Sequence, residues 1–491
     1  MRRGARSLLA LAWLLLAAAP AAAATFSVND TADAVDAAPG DGQCATAGGT
    51  CTLRAAVQEA NARSGGDTIM VPAGTYLLTI EGRGEDMAAT GDLDITVDVT
   101  ITGAGAASTI LDGNGMDRVF EIANASSVVT MSSLTIRNGN TVAGGDMDGG
   151  GLFNQGTLTL TDVVVADNTS AGSGGGISSI GDLTLSGCLV SGNTAASFGG
   201  GIDNVLTVTL TNITVSGNTS GAGGGGIGND DILALAALTN VTIAENSAPP
   251  GSGGGFYNLG RADLMGGATF RYVIVADGPS GDNCAGSGTL TSQGHNLDSG
   301  NTCGFASPGD LVNADPLLGP LQDNGGPTPT QALSPGSPAI DVGGNDCPPL
   351  DQRGFSRPAD GNGDGIATCD IGAYEFGACP GGANFQSIDC RLDELIRAVQ
   401  TVVPAGTLRD GLHGILTKAK MQTGEAEQAM ASGKRRREKA LLGRANGSLG
   451  KFNARLRTRR ARKQIPGDAL TSMKSAAGQL RHDLVTLRRS S

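Results

Sequence analysis

Gly149-Gly150-Gly151-Leu152 returns as Gly174-Gly175-Gly176-Ile177, Gly199-Gly200-Gly201-Ile202, Gly224-Gly225-Gly226-Ile227 and Gly253-Gly254-Gly255-Phe256. The first four copies are 25 residues apart, and the last follows after 29. Between them lie β-branched runs in constant phase: Val163-Val164-Val165, Ile213-Thr214-Val215 and Val241-Thr242-Ile243. An Asn recurs in step with them, at Asn168, Asn193, Asn218 and Asn246. A period in this range, with strand triplets and no helical pattern, marks a solenoid. Each run is too short to be stable alone and gains partners by stacking on its counterpart one turn later. Alternation puts Val, Ile and Leu inside the coil and turns Thr and Ser outward. Glycine suits corners where positive φ or close backbone approach excludes a Cβ. The Asn suits a turn that bonds to the backbone or to the next Asn in a ladder. A Gly-rich linker shares the composition but does not hold apolar triplets in register.

Working outward, Asp67-Thr68-Ile69-Met70-Val71 opens the first coil, and Val99-Thr100-Ile101 and Thr109-Ile110-Leu111 continue it. At about 25 residues per coil, residues 67–304 hold roughly nine or ten coils. At about 4.8 Å per stacked strand the rod is roughly 45 Å long. Ahead of it, Leu53, Val57 and Ala60 share one helical face, so a short helix is expected after Cys51 within residues 25–66. Such a helix caps the open end, hiding apolar interior and unpaired strand edges.

With 491 residues the chain has room for two or three domains. Residues 1–24 read as a secretory signal peptide: Arg2, Arg3 and Arg6, an apolar run, then Ala21-Ala22-Ala23-Ala24. No later stretch is long and apolar enough to span a membrane. Charge divides the rest. Residues 25–390 carry 9 Arg, no Lys and 39 acids, a net −30, whereas residues 391–491 carry 22 Lys and Arg against 8 acids, a net +14. Parts this different are expected to be separate domains. Nine cysteines in an exported chain imply disulfides plus one spare thiol. Proximity in sequence suggests Cys44–Cys51, Cys284–Cys303, Cys347–Cys369 and Cys379–Cys390, leaving Cys188 as a buried thiol in a strand from Leu183 to Val190.

Several stretches carry a family resemblance. Cys51-Thr52-Leu53-Arg54-Ala55-Ala56 resembles the C-S-L-R-E-A motif near the mature N-terminus of bacterial exported β-helix proteins, with Thr52 in place of Ser and Ala55 in place of Glu. The coils resemble the right-handed parallel β-helices of the pectate-lyase-like superfamily. Residues 305–378 contain Asp315-Pro316-Leu317-Leu318-Gly319, Asp323-Asn324-Gly325-Gly326-Pro327, Asp351-Gln352-Arg353-Gly354 and Asp370-Ile371-Gly372-Ala373-Tyr374-Glu375-Phe376. That ordered series, with Gly294-His295-Asn296-Leu297 upstream, resembles the choice-of-anchor Q domain of surface and secreted β-helix proteins. The resemblance implies an exported, envelope-associated protein, and no particular chemistry.

Residues 379–491 change period. Leu392, Leu395, Ile396 and Val399 mark one helix, and Leu408, Leu412, Ile415, Leu416 and Ala419 a second. Leu441, Ala445, Leu449, Phe452 and Leu456 mark a third, and Leu470, Met473, Ala477, Leu480, Leu484 and Leu487 a fourth. The expectation is an α-helical bundle, which resembles the FIMAH module of other exported proteins.

Candidate chemistry is sparse. A lyase needs a base, usually Lys or Arg, on one sheet face, and no Lys precedes Lys418. A hydrolase needs paired carboxylates, for which Asp146 with Asp148 and Asp230 with Asp231 are the candidates. His295, the only histidine before the tail, reads as a turn residue. Asp360-Gly361-Asn362-Gly363-Asp364-Gly365 matches the start of a calcium loop, with Asp370 as a further ligand. Lys434, Arg435, Arg436, Arg437, Arg459 and Arg460 form a dense basic set for an envelope or extracellular polyanion or glycan. No specific nucleic-acid recognition is expected. The sequence thus points to an exported, surface-associated β-helix protein for attachment or adhesion, and its rival is a lyase or hydrolase of acidic polysaccharide.

Overall fold

Leu152 pairs in parallel with Ile177, Ile177 with Ile202 and Ile202 with Ile227, so the 25-residue period is the pitch of a parallel β-solenoid. The structure, a computed structural model, describes residues 23–490 except 64, 143–146, 265, 277, 345, 363, 365 and 380–382. The leader assigned to residues 1–24 lies outside the described residues but for Ala23 and Ala24.

Each turn contributes a three-residue strand to an eight-stranded sheet and two further strands to a larger sheet that folds over at a bend. The bend falls on Asp162, Gly187, Asn212 and Asn240, all with positive φ, and these residue types tolerate the left-handed region best. Inward side chains form one continuous core running from Phe26 to Phe305. At the corner, a Cβ on Gly200 would lie 2.4 Å from the carbonyl oxygens of both Gly225 and Thr219, so the stacking distance itself requires glycine there.

The Asn positions are in register and form a buried ladder. Asn168 Nδ2 donates to Asn193 Oδ1 (3.0 Å), Asn193 to Asn218 (2.9 Å) and Asn218 to Asn246 (2.9 Å). A second ladder runs inside the eight-stranded sheet, from Asn204 to Asn229 to Asn258 (2.7 Å each).

There are about eight turns rather than nine or ten. The eight-stranded sheet sets the count, and at about 4.8 Å per rung it spans about 34 Å. The shortfall arises because the early coils are longer than the glycine-rich ones. Asp67 pairs with Val99, Val99 with Val129 and Val129 with Leu158, separations of 32, 30 and 29 residues.

The cap is helix α1, Leu53–Asn61, whose N-cap Thr52 accepts a hydrogen bond from the Ala55 N–H. Arg54 is buried, pairs with Asp33 at 2.6 Å and donates to the carbonyls of Ala88, Gly91 and Asp92. It thereby ties the N-terminal segment and the loop before Asp92 to the cap.

Residues 305–378 do not stand apart from the coils. They fold back along the outer face of the bent sheet: Gln352 accepts from Thr214 Oγ1 (2.6 Å) and donates to Cys188 O (3.0 Å). Thr328 reaches Gly187 O, and the Ala373 N–H reaches Thr242 Oγ1. Thr214 and Thr242 do point outward, yet both are buried because this segment covers them. The covering segment is held by internal pairs. Arg353 binds Asp351 and lies between the Phe355 and Tyr374 rings, while Arg357 and Glu375 face each other with both side chains fully buried.

All four expected disulfides are present, and Cys188 is free and buried. It sits beside the bend, between strands Asp182–Ser186 and Leu189–Ser191, rather than inside one continuous strand. Burial pushes its thiol up to about 12, which makes it unreactive.

The tail comprises α2 (Phe385–Val402), α3 (Thr407–Ala431), α4 (Arg435–Leu456), α5 (Arg459–Gln464) and α6 (Gly467–Ser490). The apolar stripes of the four long helices meet in a single core. The short α5, capped by Thr458, is an element that the periodicity does not show.

Candidate functional site

On the eight-stranded sheet the outer two residues of each strand point inward and the middle one outward. Parallel register lines the middle residues up as Asp94, Glu121, Phe153, Ser178, Asp203, Gly228 and Tyr257. Phe153 is half-buried, and Tyr257 stacks on Phe198 with ring centroids 5.1 Å apart. Between these aromatics lies Asp203, 2% exposed, whose Oδ1 has no hydrogen-bond partner. Gly228 keeps that oxygen uncrowded, since a Cβ there would sit 3.2 Å from it.

Burial holds the Asp203 carboxyl well above the usual carboxylate range, and the charges of Asp230 and Asp148 raise it further. Burial likewise lifts Asp230 to about 6, helped by Asp231 and Asp148. The carboxylates that sense one another therefore come from three coils, Asp148, Asp203 and Asp230. Neighbours in sequence are a poor guide to them: Asp231 spends Oδ1 on the Leu233 N–H of its own turn, and Asp146 lies outside the described residues. Sequence reasoning missed Asp203. The signal was its place in the repeat, directly after an inward Ile, where the period forces an outward side chain.

The six basic residues fall into two groups. Lys434, Arg435, Arg436 and Arg437 are exposed at the start of α4, after Gly433 ends the previous helix with positive φ. Arg459 and Arg460 are exposed at the start of α5, beyond the far end of α4. The 22 residues of α4 put about 33 Å between the groups. Neighbouring helices enlarge each one. Arg488 lies beside Gly443 and Arg481 beside Gly450, so α6 runs antiparallel to α4 and brings Arg488 and Arg489 to the first group. Arg455 lies beside Gly411 at the second. Ion pairs in the bundle, Arg391 with Asp483 and Lys420 with Asp393, use other cations. The first group also sits on the positive end of the α4 dipole, where cations repel the helix and an anion is favoured.

The structure does not gather the proposed calcium ligands. Asn362 Oδ1 accepts the Asp364 N–H and Asp364 Oδ1 the Ile366 N–H, two local turns on an exposed loop. Asp370 is buried, and its two oxygens take the N–H groups of Asp341 and Phe376. Burial and then the Glu375 charge push its carboxyl up to about 8. An ion at this loop has to displace both turns. If calcium does bind there, it raises the unfolding temperature and Asp364→Ala removes the effect; a silent pair of measurements leaves a turn only.

His295 has positive φ and its Nδ1 contacts Val342 O at 2.6 Å, a turn residue against the covering segment. No family model matches this chain, and neither do the curated proteins nor the solved structures with which it was compared.

Proposed function

We propose that this is an exported attachment protein, in which the solenoid is a rigid rod and the basic bundle engages an extended polyanion such as an envelope polysaccharide. The observation that carries the reading is the pair of exposed cationic groups separated by the length of α4. A polymer bridges that span and a small anion does not. Four disulfides support maturation in an oxidising compartment, and no helix among the described residues is long and apolar enough to cross a membrane.

Exposed charges are screened beyond about 8 Å at physiological salt. Docking of the bundle on its own acidic rod therefore needs several close pairs, whereas a polyanion meets many cations together and releases its counterions. Binding of the mature protein to such a polymer should weaken steeply as salt rises. Replacing Arg435, Arg436 and Arg437 together by Ala should weaken it by roughly tenfold and lower the salt slope by about three ions. Binding that ignores salt, or that survives the triple substitution, overturns the reading.

The second reading is cleavage of an acidic polysaccharide, favoured by Asp203 and Asp230. One carboxyl held protonated beside another that ionises is what glycoside hydrolysis uses. Release of reducing or unsaturated ends from a polysaccharide panel, lost in Asp203→Asn, would transfer the function from attachment to catalysis.

A further inference from the structure

At the other end of the same outward row lies a carboxylate cluster that neither reading uses. Asp92, Asp94 and Glu121 each bring one oxygen within 4.8 Å of the other two. Two oxygens that share one ion at about 2.4 Å lie no farther apart than that, and about 2.3–2.6 Å is the calcium–oxygen range. Asp94 is 0% exposed; its Oδ2 accepts the Ala88 N–H at 2.8 Å, while its Oδ1 is buried without a hydrogen-bond partner. A buried carboxylate oxygen left unsatisfied is costly, and a cation is the partner that removes the cost.

The charges present do not balance. Arg118 contacts Glu121 (2.7 Å) and Asp92 (3.4 Å), and Arg83 faces Asp117 at 3.8 Å. Against Asp92, Asp94, Asp117 and Glu121 those two cations leave two negative charges, and Glu85 and Asp86 add to the field at Asp94. The donor set is all oxygen, with no His or thiolate, which selects a hard divalent ion over zinc. Carboxylates this buried leave little room for the waters that magnesium retains, and calcium tolerates irregular geometry.

We propose that Asp92, Asp94 and Glu121 form a calcium site that staples the loop before Asp92 to the first two strands of the eight-stranded sheet. The same loop is the one that Arg54 of the cap holds from the other side, through the carbonyls of Ala88, Gly91 and Asp92. The ion would therefore lock the N-terminal cap to the solenoid. Its affinity is expected in the range of about 10⁻⁴–10⁻³ M typical of extracellular modules.

The test is calcium binding to the full mature chain by calorimetry, with unfolding temperature read in calcium, in magnesium and in chelator. The parent should bind calcium and unfold at a higher temperature in it, with magnesium much less effective. Asp94→Asn should bind one ion fewer per chain and lose the calcium-dependent rise, while Asp364→Ala, at the unrelated loop, should keep both. Glu121→Gln, at a less buried position, gives the same reading should Asp94→Asn fail to fold. If the parent shows no calcium-dependent change, or if Glu121→Gln binds as the parent does, the cluster is a proton-sharing group of acids and the proposal falls.

Discussion

Arg357→Met should lower the unfolding free energy by about 3–5 kcal/mol, the cost of leaving buried carboxylates without their cation. Arg357 is fully buried with Nε 3.5 Å from Glu375, and it donates to the carbonyls of Asp370 (3.3 Å) and Gly372 (2.7 Å). Glu375 and Asp370 raise each other's carboxyl pKa once burial has raised both, and Arg357 is the charge that lowers them. Methionine fills much of the volume but supplies no charge. Residues 305–378 should then loosen from the solenoid, and Thr214 and Thr242, which they cover, should become exposed. Denaturant unfolding measures the energy, and limited proteolysis should place the new cuts inside residues 305–378. Parent-like stability, or cuts elsewhere, would contradict this account of how the segment is held.

Asn193→Ala should cost about 3–5 kcal/mol, against a near-zero effect for the exposed Thr184→Ala one strand earlier. Asn193 Oδ1 accepts from both the backbone N–H and the Nδ2 of Asn168, each at 3.0 Å, and its own Nδ2 donates to Val165 O and Asn218 Oδ1. Alanine strands two donors on Asn168 and one carbonyl in a region without solvent, at about 1–3 kcal/mol for each group that cannot find another partner. The contrast matters because both residues are polar and lie nine positions apart in one coil. Thermal or denaturant unfolding of the two variants side by side checks it. Equal effects would mean that the ladder contributes no more than surface polarity does.

The solenoid was legible because its cause is local and repeated. A strand too short to stand alone, a glycine corner and an Asn turn recur at one interval, and periodicity states both the pairing and its register. The same holds for the cap, whose helix is announced by Thr52 and one apolar face, and for the bundle, whose four long helices show a 3.6-residue stripe. The count of turns was less legible, because coils of 32, 30 and 29 residues lack the glycine triplet that marks the period elsewhere.

Three things were decided only by tertiary structure. The fate of Thr214 and Thr242 depends on a segment more than 100 residues later that covers an otherwise solvent-facing sheet. The carboxylates that share a field, Asp203 with Asp230 and Asp92 with Glu121, come from different turns, since stacking brings together residues one period apart and sequence adjacency does not. The basic tail reads as one dense patch in the sequence, but a rigid α4 holds Lys434–Arg437 and Arg459–Arg460 at opposite ends. Sequence alone thus determined the architecture, which follows from short-range patterns of burial and turn formation. The placement of charge, which governs what the protein binds, depends on long-range contacts that no local pattern encodes.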